Sequence, residues 1–372
     1  MSTHLERNPK KTMEGKTTPV AAGTEADAVS GELVLVTGGS GYVGTHVISG
    51  LLRSGHRVRA TVRSQGSATS AATGAAASAA ASVRAAVAAS GVDPGGRLDI
   101  VSADLTTDDG WDDAMAGCTH VHHVASPFPS VQPDNADELI VPARDGTLRV
   151  LRAARDQGVK RVVMTSSFAA VGYSRKDGDE YDESDWTDPE DDNPPYVRSK
   201  TIAELAAWDF VAKEGDGLEL TVINPTGIFG PALGPRLSAS TEHVRAMLEG
   251  AMSAVPRAHF GMVDVRDVAE LHLRAMTHPA AAGQRFLAAG DRTVSLLWIA
   301  RVLAEHLKER AAQVPTREFD DERAREAVGV TERVPILRTE KARSVFGWTP
   351  RDPVTTILDT AESLFRLGLV KD

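Results

Sequence analysis

Residues 33–44 read Leu33-Val34-Leu35-Val36-Thr37-Gly38-Gly39-Ser40-Gly41-Tyr42-Val43-Gly44. The first four are apolar without alternation, as in a strand buried on both faces of a parallel sheet. A glycine loop follows at once. Beyond it, Val47, Ile48, Leu51 and Leu52 fall at helical spacing, and Gly55 sits where that helix should stop. Residues 57–63 (RVRATVR) then alternate like a second strand. Strand, glycine loop, helix and strand in about thirty residues form the unit that binds dinucleotides.

The loop glycines each have a task in that unit. Gly38 permits the tight turn, Gly41 lets backbone N–H groups approach a pyrophosphate, and Gly44 lets the helix pack on the strand. The helix N-terminus stabilises the negative charge. An enzyme that uses NAD usually places an acid at the end of the second strand to hold the ribose hydroxyls. No Asp or Glu stands between His56 and Ser90, and Arg63 occupies the strand end. An arginine there suits a 2′-phosphate, so the expected cofactor is NADP(H). The alternative for Arg63 is a solvated strand end. At the end of the third strand, Asp104 and Leu105 would meet the adenine, unless Asp104 is a plain turn residue.

Outward from this unit, strands and helices alternate. Residues 67–90 are alanine-rich and read either as a flexible linker or, for their second half, as a helix. Strands are expected at 97–105, 119–126, 161–167 and 218–224, with helices at 138–157 and about 196–213. This predicts an α/β fold with a doubly wound parallel sheet, the Rossmann architecture, and a smaller, mostly helical C-terminal lobe. The expected division is a disordered tail at 1–30 and a dinucleotide-binding domain at 31–224 plus about 260–290. A substrate lobe takes about 225–259 plus 291–372.

Charge narrows the partners. Lys plus Arg number 41 against 51 Asp plus Glu, a net of −10, with no basic stripe. Nucleic acid and anionic membrane surfaces are therefore not expected. One cysteine, Cys118, rules out an intrachain disulfide and fits a reducing, cytoplasmic setting. The N-terminal residues are polar, and no uncharged apolar run reaches the ~20 residues of a membrane span. Monomer and homodimer are both open.

Chemistry enters at two places. The strand at 161–167 ends in Thr165-Ser166-Ser167, and chemistry in open α/β sheets sits at carboxyl ends of strands. Further on, Tyr196 precedes Lys200 by four residues, which puts both on one helix face. Carbonyl reduction needs a proton for oxygen as well as a hydride for carbon. A tyrosine gives that proton if its pKa, near 10 in water, is lowered, and a lysine one turn away does this electrostatically. The lysine can also hold the nicotinamide ribose, and a serine can stabilise the developing oxyanion.

With these residues in place, the chain resembles the extended short-chain dehydrogenase/reductase family. Within it, the resemblance is to the dihydroflavonol-4-reductase-like branch of NADPH-dependent aldehyde and ketone reductases. The motifs that carry the resemblance include VTGGSGYVGTH, HHVASPF, KRVVMTSSFAAV, YVRSKTIAELAAW and INPTGIFGP, in family order over about 31–280. The resemblance implies Ser167, Tyr196 and Lys200 as catalytic residues. It places Ser40, Gly41, Tyr42, Val43, Arg63, Asp104, Leu105, Ala125, Ser126 and Pro225 on cofactor-binding positions. Phe128, Phe168 and the 226–245 segment, beginning with Thr226, should wall the substrate pocket. Two departures stand out. Ala143 occupies a position where many members have an asparagine for a proton relay. The stretch before Tyr196, DDNPPYV, also lacks the Trp-Tyr-Cys-type signature of CoA-thioester reductases.

Other features read as structural. His120 and His122 share a strand face without a carboxylate at ligand spacing, so no metal site is expected. His123 is a packing or near-cofactor residue, and Cys118 a buried small hydrophobe. Residues 177–192 hold ten acids. They form a solvated loop or, alternatively, border the mouth of the site and disfavour polyanionic substrates. The expected activity is NADPH-dependent reduction of a small neutral aldehyde or ketone. The rivals are a nucleotide-sugar epimerase or dehydratase with the same three residues, and a non-catalytic NADP-sensing regulator.

Overall fold

The structure, a computed structural model, describes residues 31–63, 70–127, 135–319 and 334–371. The expected tail at 1–30 and Phe128 lie outside the described residues.

Strand β1 (Leu33–Thr37) leads through the glycine loop into helix α1 (Tyr42–Arg53) and strand β2 (Arg57–Val62). Helix α2 (Ser70–Ala89) and strand β3 (Leu98–Ser102) complete the first half. Short helix α3 (Trp111–Met115), strand β4 (His120–His123), helix α4 (Asp137–Asp156) and strand β5 (Arg161–Thr165) follow, then helix α5 (Pro195–Glu214). The strands Glu219–Pro225 and Gln284–Ala288 finish a seven-stranded sheet. Read across, its order is Gln284–Ala288, Glu219–Pro225, β5, β4, β1, β2, β3, and every neighbouring pair is parallel. The order reverses between β1 and β4, so a crevice opens at the carboxyl ends there.

The period of two along β1 decides which helices it meets. Val34 and Val36 enter one core with Val47, Ile48, Leu51 and Leu52 of α1, Val83 and Val87 of α2, and the helix Val265–Thr277. Leu35 points the other way, into a core with α3, α4 and α5. Both layers are therefore written into the short run Val34-Leu35-Val36. Helix α2 begins well before the second half of the alanine-rich stretch, where the sequence reading placed it. Alanine propensity carries the helix through the interspersed Ser, Thr and Gly residues.

A third core lies beyond the sheet. Phe229 of the short strand Gly227–Phe229 joins Val244, Met247, Leu303, Ile357 and Leu364 there, the last five drawn from helices Ala239–Leu248, Leu296–Leu307 and Pro353–Arg366. This part is helical with short strands. Residues His259–Asp264 pair with Gly227–Phe229 and Thr293–Ser295 in a separate three-stranded sheet. Of the expected return at 260–290, then, the strand that joins the large sheet is Gln284–Ala288. Among the described residues, no helix is long and apolar enough to cross a membrane.

Candidate active site

A cleft of about 780 Å³ opens where the strand order reverses. One wall is the glycine loop. Gly38 has φ +68°, and a Cβ there would stand 3.0 Å from the Ala125 Cα. A Cβ on Gly44 would sit 2.4 Å from the Gly38 carbonyl oxygen, so the turn and helix can meet only without side chains. Gly38, Ser40, Gly41, Tyr42, Val43 and Gly44 all line the cleft, with Gly41 as the N-cap of α1. Backbone N–H groups at a helix N-terminus of this kind suit a pyrophosphate.

Tyr42 lines the cleft and also ties down a neighbouring segment. Its side chain is buried, and its hydroxyl donates to the Gly230 carbonyl at 2.7 Å. Burial pushes its pKa far up. His46 Nε2 meets the Pro231 carbonyl at 2.9 Å. From the other side, Thr360 and Ser363 of the C-terminal helix accept from Gly230 N and Ala232 N at 2.7 and 2.8 Å. Residues 230–232 are thus pinned between α1 and the C-terminal helix. The chain just after them supplies Arg236, Leu237, Ser238 and Ala239 to the cleft.

Arg63 is exposed at the end of β2 and lines the cleft. Asp104 and Leu105 line it too. The Asp104 Oδ1 accepts from Thr106 N at 2.8 Å and Thr106 Oγ1 at 2.7 Å, so this residue is a turn aspartate as well as a cleft wall. Ala125, Ser126, Pro225 and Thr226 are also in the lining.

The candidate reacting groups stand just after β5 and at the start of α5. Pro195 takes the first position of α5, where its fixed φ suits a helix start, and Tyr196 and Lys200 follow one turn apart. The Tyr196 hydroxyl lies 3.5 Å from Ser167 Oγ. Lys200 Nζ lies 6.0 Å from the centre of the Tyr196 ring. All three residues line the cleft. The two serines part company here. Ser166 is buried and donates to Glu204 Oε2 at 2.5 Å, while Ser167 Oγ faces Tyr196 and accepts from Ala169 N at 3.1 Å. Both serines line the cleft, and Ser167 is the one whose hydroxyl faces that of Tyr196.

Electrostatics differ from the sequence expectation in one respect. Burial raises the Tyr196 pKa, and the Ser167 hydrogen bond opposes it only in part. Burial also lowers the Lys200 pKa to about 8, with the Glu204 carboxylate opposing. Nearby, His123 bonds Thr37 Oγ1 at 2.9 Å and Thr147 Oγ1 at 3.4 Å, and burial holds it near pKa 3, with the charge of Lys200 adding to the shift. His122 pairs with His272 at 3.2 Å, and His120 meets Glu32 at 3.1 Å. These are packing and hydrogen-bonding histidines. Ala143 is buried in the core beneath α4.

Phe168 lines the cleft with its ring 6.1 Å from Tyr173 and 5.6 Å from Tyr181. None of the ten acids at 177–192 lines the cleft, although Tyr173 and Pro194 on either side do. Instead the run is tied down behind the site. Arg285 donates to the Glu183 and Asp185 carbonyls at 3.0 and 2.8 Å, and Glu183 Oε1 accepts from Leu287 N at 2.9 Å. The idea that these acids border the mouth loses its geometric basis. The sequence reading missed Glu204, Asn224 and Arg285, all buried around the reaction centre. Only Glu204 left a signal, one further turn along from Lys200.

Comparison with known proteins decides the family. The pattern of the NAD dependent epimerase/dehydratase family matches residues 34–289. The chain belongs to that family. Within it, a cinnamoyl-CoA reductase of Medicago truncatula is 35% identical over 344 residues, covering 90% of this chain and 96% of the relative. A dihydroflavonol 4-reductase of Zea mays is 32% identical over 271 residues, covering 70% and 71%. Among solved structures, the yeast methylglyoxal/isovaleraldehyde reductase complexed with NADPH superposes with a TM-score of 0.74. It is 25% identical and covers 90% of this chain and 99% of that one. This family member therefore sits in the dihydroflavonol-reductase-like branch, as its motifs implied.

Proposed function

We propose that this NADP-dependent oxidoreductase reduces a small neutral aldehyde or ketone to the alcohol, in the cleft between the large sheet and a substrate lobe at about 225–259 plus 291–372. The observation that carries this reading is the meeting of Ser167, Tyr196 and Lys200 in one cleft with the glycine loop. The yeast relative, named for methylglyoxal and isovaleraldehyde, supports a small carbonyl substrate.

When bound, NADPH supplies the hydride for the carbonyl carbon. The residues supply the rest. Ser167 Oγ hydrogen-bonds the carbonyl oxygen and holds it beside the Tyr196 hydroxyl. Tyr196 donates its proton to that oxygen as negative charge develops there. Burial raises the Tyr196 pKa and so keeps its proton in place beforehand, and the transfer itself then depends on stabilisation of the tyrosinate. Lys200 in its charged form stabilises the tyrosinate left behind and holds the ribose. The balance is carbonyl, NADPH and one proton to alcohol and NADP⁺.

Arg63 supports the choice of NADPH over NADH. Arg63→Ala is expected to weaken NADPH binding by about tenfold, the loss of one charge-assisted contact to phosphate, and to leave NADH binding unchanged. Fluorescence titration with both cofactors measures it. Equal weakening of both would place the arginine elsewhere.

A second reading is favoured by the names of several relatives, cinnamoyl-CoA reductases. Reduction of a CoA thioester to an aldehyde releases free thiol, which a thiol reagent detects alongside NADPH oxidation. The stretch preceding Tyr196 argues against it, and the expected result is no thiol release.

A further inference from the structure

The buried charge of the site continues one turn past Lys200. Glu204 lies on α5 four residues further on and is fully buried. That spacing sets its carboxylate on the helix face of Tyr196 and Lys200. Four donors converge on it. Oε2 accepts from Ser166 Oγ at 2.5 Å and Asn224 Nδ2 at 2.7 Å, and Oε1 from Arg285 Nε at 2.6 Å and Trp208 Nε1 at 3.3 Å.

Each donor carries a different part of the site. Asn224 Nδ2 also reaches the Ser167 carbonyl at 3.2 Å. Arg285 donates to the Ala170 carbonyl at 3.2 Å, and its guanidinium lies 3.6 Å from the centre of the Trp186 ring. One carboxylate therefore joins the helix of Tyr196 and Lys200 to the segment that presents Ser167 and to the acidic run. A buried ion pair of this kind contributes little net stability over an apolar packing. Stability alone does not account for it, and its place beside a buried lysine does.

We propose that Glu204 is a positioning residue of the reaction centre: its carboxylate places a negative charge one helical turn from Lys200 and fixes the backbone that presents Ser167, with Arg285 as its ion-pair partner. The proposal rests on the reductase reading for the meaning of Lys200. The titratable groups around that lysine are Tyr196 and Glu204 on its own helix and His123 on β4. Tyr196 and His123 are uncharged at neutral pH, since burial raises the pKa of the first and lowers that of the second. Arg285 stands against Glu204. Glu204 is the charge that opposes the desolvation of Lys200.

Glu204→Gln keeps the shape and removes the charge. The experiment follows kcat, kcat/KM and NADPH binding against pH in the full-length chain, with Tm as a check on folding. The expected result is an alkaline limb displaced toward lower pH by about one unit, the effect of losing one nearby opposite charge. Ser166→Ala removes one donor and no charge, and its limb is expected at the wild-type pH. A Glu204→Gln variant with wild-type Tm and an unmoved limb overturns the proposal. Should that variant not fold, Glu204→Asp decides. A lowered kcat with the limb in place supports the charge role, and a limb displaced despite the retained charge overturns it. The limb in NADPH binding needs no carbonyl. Absence of turnover in the wild type would therefore count against the reductase reading alone, while an unmoved binding limb would count against Glu204.

Discussion

Tyr196→Phe is expected to lower kcat for carbonyl reduction by about 10²–10⁴, the range for loss of a general acid, with NADPH affinity nearly unchanged. Phenylalanine keeps the ring in its half-buried place and removes the hydroxyl that lies 3.5 Å from Ser167 Oγ. Ser167 alone can polarise a carbonyl but has no lysine one turn away to stabilise the anion left by proton transfer. Steady-state turnover and a cofactor titration on the same preparation check both halves. A variant that kept a tenth of wild-type kcat would move the proton donor to another group.

Lys200→Met is expected to act in opposite directions on activity and stability. Activity falls by about the same order, because the charge that stabilises the tyrosinate is gone. Stability at neutral pH rises. Burial lowers the Lys200 pKa from 10.5 to about 8, so the folded state disfavours its charged form. Between those values the unfolded chain holds a proton that the folded chain has released, so stability increases with pH across that window. Below about pH 8 the full penalty applies, on the order of 3 kcal/mol for a shift of this size. Removing the ammonium removes the penalty. Melting curves from pH 7 to pH 10 should show the wild type gaining stability with pH and the variant starting higher with no such gain. A variant less stable than the wild type at pH 7 would mean that Lys200 is held by its partners more strongly than it is penalised by burial.

These effects trace to residues that differ in how plainly the sequence displays them. Leu33 to Gly44 show the strand, loop and helix because each property is local: apolar run, glycine spacing, helical period. The pairing of His259–Asp264 with Thr293–Ser295 is not local, and no short pattern distinguishes it from a strand of the large sheet. Tyr196 and Lys200 are legible because one helix carries both. Ser167 is separated from Ser166 in the sequence by the family resemblance alone and in the structure by what each touches, and the surroundings of Glu204 emerge only with Arg285, 81 residues away, against it. The tyrosine's pKa was misjudged for a related reason. The charge of Lys200 can be read from the chain, but the burial that raises the tyrosine's pKa cannot.

The most direct test of the account is NADPH oxidation by the purified protein over a panel of small neutral aldehydes and ketones, with Tyr196→Phe, NADH, a CoA thioester and a nucleotide sugar run in parallel. The account predicts turnover of neutral carbonyls that prefers NADPH and is lost in Tyr196→Phe. Turnover confined to the thioester or the nucleotide sugar, or turnover of neutral carbonyls that survives in Tyr196→Phe, would contradict it.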